Sequence, residues 1–193
     1  MPKLPVIRPR EVVKFLEHEG FTLIELILYI SIVTIMLSAI IPFAWNIIGG
    51  SVKSSTQQEV SSAARFVSER LKYEIRNAQD IDSANSNFDT NLANDSNQKL
   101  ALIISLSPLI TNYICVSTDG QILIDTSSPP CSGNPLNSTD IKVTDLTFTN
   151  YTSADNKTKH VGFILTATAN FPSQRHEFQE TITLRSSAEV RNN

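Results

Sequence analysis

Residues 21–48 read FTLIELILYISIVTIMLSAIIPFAWNII, and 21 of these 28 residues are apolar. Glu25 is the only charge among them. From residue 26 to 48 the run holds 23 uncharged residues. As helix they would extend about 35 Å at roughly 1.5 Å per residue. The hydrocarbon core of a bilayer is about 30 Å thick. A core helix of a soluble domain normally keeps a polar face, and this run has none. The stretch reads as a membrane span.

The flanks set its direction. Residues 1–20 carry Lys3, Arg8, Arg10 and Lys14 against Glu11, Glu17 and Glu19, whereas only Lys53 lies close behind the span. Lys and Arg before a span hold that side in the cytoplasm, which exports everything after it. The 145 residues that follow contain 50 apolar residues, about a third. Whole-chain averages over the 193 residues, 41% apolar with a net charge of −3, therefore blend a charged head, a hydrophobic run and a polar body. The near balance of 16 basic and 19 acidic residues disfavours a nucleic-acid binder. Two cysteines are too few for a disulfide-framework miniprotein or a four-cysteine zinc site.

An ordinary secretory signal ends in small residues behind its apolar region. Here the conspicuous small residue lies in front, in Gly20-Phe21-Thr22-Leu23-Ile24-Glu25-Leu26. This stretch resembles the N-terminus of type IV prepilins and type II secretion pseudopilins: a charged leader ending in Gly, an aromatic, an apolar pair and an acid at the fifth mature position. Pro42 falls at the twenty-second mature position, matching a proline common in pilin helices. Glu17 and Glu19 beside Gly20 depart from the pattern, because many family members carry Lys or Arg there.

The resemblance implies that a prepilin peptidase cuts between Gly20 and Phe21 on the cytoplasmic side and N-methylates Phe21. It also implies that Glu25 pairs with the N-terminal amine of a neighbouring subunit as subunits pass from the inner membrane into a filament. An acid near the start of a span costs less than the roughly 2.5–3.5 kcal/mol of a mid-membrane charge, so the alternative is that Glu25 reaches the headgroups. The implied partners are the peptidase, other pilin or pseudopilin subunits and an inner-membrane assembly platform.

Beyond the span, Val60, Ala64, Val67, Leu71, Ile75 and Ala78 recur at steps of three and four, one face of a helix. Such a face predicts packing on a folded domain; its mixed rather than basic charges argue against a membrane-surface helix. Residues 82–97 hold five Asn, three Asp and three Ser, the composition of a solvated loop, without the acid spacing of a calcium loop. Residues 99–106 and 112–117 suit strands, and Asp119-Gly120 marks a hairpin turn into a strand at 122–125. Ile141 and Val143 alternate, then Leu146 and Phe148 resume in shifted phase, which predicts a bulge near Thr144-Asp145. Val161 to Phe171 alternates cleanly, and Phe178, Ile182 and Leu184 form a weaker last strand.

The expected fold is α+β: a long N-terminal helix, transmembrane then amphipathic, packed on a C-terminal antiparallel sheet in a pilin-like arrangement. The expected segments are a leader (1–20), a membrane span and assembly stem (21–48), an amphipathic continuation (49–81) and an exported β-rich domain (82–193). Cys115 and Cys131 form a disulfide worth about 3 kcal/mol in the chain-entropy model, or remain two free thiols. The sequons at Asn137, Asn150 and Asn156 suggest surface turns. His18, His160 and His176 have no metal spacing, and no phosphate loop or nucleophile elbow is present. No enzyme, metal or cofactor is expected. Residues 70–81 and 181–186 are similar to stretches of J-type minor pseudopilins and W-type minor pilins, so the resemblance implies a minor, initiating or tip subunit. A major or adhesive pilin, or a signal-anchored exported protein that never assembles, are the alternatives.

Overall fold

A computed structural model describes residues 22–127, 132–155, 157–171 and 179–191. Two compact units divide the chain, Met1–Trp45 and Asn46–Asn193. The helix α1, Leu23–Asn77, has residues in both. Pro42 and Gly50 lie inside α1, and a Cβ at Gly50 would meet nothing within 4 Å, so no packing contact explains that glycine.

In the second unit α1 buries one face, including Val60, Ala64, Val67, Leu71 and Ile75. Ala78, just past its end, is buried too, so the face read from the 3/4 spacing is the packed face. Along the helix Arg70 pairs with the buried Glu74 at 2.5 Å, and Lys72 with the exposed Glu69, the i,i+4 and i,i+3 spacings that support a helix. At its end the Arg191 N–H donates to the Arg76 carbonyl (3.3 Å), satisfying one of the acceptors that a helix C-terminus leaves open.

The strands are β1 (Asp80–Ile81), β2 (Leu100–Leu106), β3 (Leu109–Val116), β4 (Ile122–Asp125), β5 (Asn134–Pro135), β6 (Ile141–Asn150), β7 (His160–Ala169) and β8 (Thr181–Glu189). All pairings are antiparallel, and the arrangement is the expected α+β. Where one sheet was expected there are two: β1-β2-β3-β4-β5 and β6-β7-β8. The main core joins them, with Leu71 and Ile75 of α1 clustered with Leu102 and Ile114 of the first sheet and Leu146 and Phe148 of the second. A smaller cluster sets Val60 and Ala64 against Ile141 and Ala167 of the second sheet.

The register of β6 on β7 shifts between Val143 and Asp145, the bulge that the broken alternation predicts. Gly120 sits at φ +75° in the β3–β4 turn, where a Cβ would lie 2.4 Å from Lys142 Cγ and 2.9 Å from the Val143 carbonyl oxygen. Its carbonyl accepts the Val143 N–H at 2.8 Å, tying the turn of one sheet to the first strand of the other. Asn137 makes a second tie: its Oδ1 accepts from Ile122 N–H (2.9 Å) and its Nδ2 donates to the Ile141 carbonyl (2.6 Å). Asn137 is therefore buried, not part of a surface turn; Asn150 is exposed, and Asn156 lies outside the described residues.

Residues 82–97 are more than a solvated loop. Leu92, in a 3-10 turn over Leu92–Asn94, is fully buried. Asn91 bonds the Leu146 N–H (3.0 Å) and the Thr144 carbonyl (3.0 Å), and the Asp89 N–H donates to the Phe148 carbonyl (2.7 Å). The segment straps the outer edge of β6.

Candidate functional site at the start of the apolar helix

From 22 to 45 every described residue is exposed except Val33, which is half-buried. Leu23, Ile35 and Trp45 expose 77%, 69% and 66% of their surfaces. The helix is long and apolar enough to cross a membrane. Its polar side chains are used internally. Ser31 donates to the Ile27 carbonyl (2.7 Å), Ser38 to that of Ile35 (2.7 Å), and Thr34 to that of Ile30. Hydroxyls that bond their own backbone do not need water, the condition a lipid environment imposes.

The first turn is built around Thr22 and Glu25. The Thr22 carbonyl accepts the Leu26 N–H at 3.1 Å, and its Oγ1 accepts the Glu25 N–H at 3.3 Å, which places Thr22 at the N-cap and Glu25 at the third helical position. Thr-x-x-Glu at these positions is the capping-box pattern, and a carboxylate there also faces the positive end of the helix dipole. The spacing was visible in the sequence as Thr22 and Glu25, but the reading of Glu25 as an assembly residue passed over it. Glu25 is exposed and makes no ion pair among the described residues. Gly20 and Phe21, the expected cleavage and methylation positions, lie outside the described residues. Pro42 lies within α1, fourteen residues before the first buried position of the helix, Thr56.

The remaining described candidates belong to the second unit. Cys115 is buried on β3 and is disulfide-bonded; Cys131, the only other cysteine of the chain, lies outside the described residues. His160 lines an open cavity of about 710 Å³ with Arg76, Glu189 and Arg191, which no sequence motif signalled; His18 and His176 lie outside the described residues. Among the described residues, no three His, Cys, Asp or Glu side chains gather as a metal site. The three aspartates of the 82–97 strap serve separate bonds, Asp82 to Asn85 and Asp95 to Asn97 locally and Asp89 to Thr149 on β6.

Compared with known proteins, the chain matches no family model, no curated protein and no solved structure.

Proposed function

We propose that the chain is a minor pilin or pseudopilin. In this reading a prepilin peptidase removes residues 1–20 and methylates Phe21. The protein then waits in the inner membrane as a single-pass subunit with its N-terminus cytoplasmic and the β-rich domain, 82–193, exported. With other subunits and an assembly platform it primes or caps a type IV pilus-like or type II secretion filament, without performing catalysis. One observation carries the proposal: the apolar start of α1 holds a single charged side chain, Glu25, and that carboxylate has no ion-pair partner among the described residues. An amine created four residues away, or on a neighbouring subunit, would offset the desolvation an unpaired acid bears.

A second reading follows from the Thr22 cap. If Glu25 serves only its own helix start, the protein is a signal-anchored exported domain that does not assemble. Glu25→Gln separates the two, because Gln can occupy the same capping position but carries no charge. Incorporation into sheared filaments should fall at least tenfold, with membrane insertion unchanged. Incorporation at the level of the unsubstituted chain would show that the charge is not needed. Mass spectrometry of the membrane form should find a chain starting at methylated Phe21.

A further inference from the structure

Two sheets present four edges among the described residues, and three of them are blunted. β1 and β5 are two residues long, and Pro135 of β5 has no N–H to offer. The outer edge of β6 is strapped by Asp89 and Asn91. Short edge strands, prolines and covering loops are the usual protection against pairing with another chain. Among the described residues β8 has none of these. It runs nine residues without glycine or proline, and its ladder with β7 has no register shift. Among the described residues no hydrogen bond reaches it from anywhere but β7.

The bonds at its two ends fix which groups point outward. Ala169 N–H donates to the Glu180 carbonyl at 3.0 Å, and Val190 N–H to the Lys159 carbonyl at 2.9 Å. Antiparallel ladders alternate, so the even-numbered residues between these bonds turn their backbone groups to β7. The N–H and C=O groups of Thr181, Thr183, Arg185, Ser187 and Glu189 face away from it. All five residues are exposed, and Arg185, at the centre, has no ion-pair partner among the described residues.

We infer that this edge receives an extended segment of a different protein chain as a fourth strand beyond β8, with an acidic side chain facing Arg185. Strand addition supplies affinity through main-chain bonds and specificity through the side chains along the edge. A second copy of this chain fits poorly. Antiparallel pairing of β8 with itself over all nine residues sets Arg185 against Arg185, a repulsive cross-strand pair. The other edges of a second copy are short or strapped. The hydroxyls and charges along the edge keep it solvated until the partner arrives. The inference does not depend on filament assembly, since it concerns the β8 edge alone.

The test places a photo-crosslinking residue at position 183 or 187 of the full-length chain in its own membrane, with position 157 in an exposed loop as control. Both edge positions should label one segment of one other protein, at sites four residues apart, and position 157 should not label it. Adducts only with a second copy, only with lipid, without the four-residue spacing, or absent altogether would overturn the inference. Thr183→Pro removes an outward N–H and no main-chain bond to β7, at the loss of the hydroxyl bond to Thr166, and should cut labelling from position 187 at least tenfold. Should that variant accumulate poorly, Arg185→Glu decides by the same readout: undiminished labelling rejects the acidic partner strand.

Discussion

The two halves of α1 share a backbone conformation and differ in what their side chains need. In Asn46–Asn193 the apolar residues stand at steps of three and four, and those positions are buried: Val60, Val67, Leu71 and Ile75 expose 2% or less. In the first half apolar residues fall on every side, and 17 large ones between Leu23 and Ile48 remain exposed. At about 1.5–3 kcal/mol for each such side chain fully buried, leaving them in water forgoes tens of kcal/mol, more than the whole stability of a typical domain. Periodicity separates a helix that packs on its own domain from one whose surroundings must come from outside the chain.

Truncating one leucine in each half tests that contrast with the largest expected effect. Leu71 is fully buried between the sheets, so Leu71→Ala should destabilise the second unit by about 2–5 kcal/mol in chemical denaturation. Leu37→Ala removes the same atoms from an exposed position and should change that stability by less than about 0.5 kcal/mol. Equal losses would mean that the first half is packed on protein after all.

The contrast also explains what could be read beforehand. Five helix positions with Ala78 just past them, the Thr144-Asp145 bulge and the Gly120 turn were legible because each is a local signal: a 3.6-residue period, a phase slip, an Asp-Gly pair. The division into two sheets was not, since it depends on which strands pair and on side-chain ties such as Asn137 to Ile122 and Ile141. The strap was missed because its Asn and Asp residues dominate the composition, whereas Leu92 is its one buried residue and the Asn91 and Asp89 bonds to β6 join segments far apart in sequence. β3 starts at Leu109, ahead of the expected 112, because Leu109 and Ile110 are exposed and extend the strand through pairing with β2, not burial. β8 continues past Leu184 through Arg185, Ser186 and Ser187 on its pairing with β7. Of the site, Glu25 was legible as a lone charge, and the cap that Thr22 gives it needed the geometry.

The two glutamates at opposite ends of α1 sharpen the comparison further. Glu25 is exposed without an ion-pair partner among the described residues; Glu74 is buried and held by Arg70. Removing the partner of a buried charge costs more than the pair contributes, though the 45% exposure of Arg70 lets water reach the site. Arg70→Ala should therefore cost about 1–2 kcal/mol. Adding Glu74→Gln should restore part of that loss, because the neutral side chain no longer needs a cation. A double variant as unstable as the sum of both singles would show that Arg70 acts through its packing over the Tyr73 ring instead.

The smallest effect concerns pH, and it belongs to the second unit alone. The Ser127 backbone N–H, then that of Ser132, holds the Asp125 carboxyl below its ordinary value; at Asp155 the Ser153 hydroxyl does so, then the Lys157 N–H. A depressed folded-state pKa means that the charged form favours folding. The contribution is complete above the ordinary carboxylate value near pH 4 and disappears as pH falls through the lower folded value. Asp155 is exposed and Asp125 only half-buried, so water screens both carboxylates and the effect should be small. Asp125→Asn should melt slightly below the unsubstituted chain at pH 7, and the gap should close on acidification below pH 4. A gap that persists at pH 2 would mean that Asp125 holds its turn by shape, through acceptor bonds that survive protonation, rather than by charge.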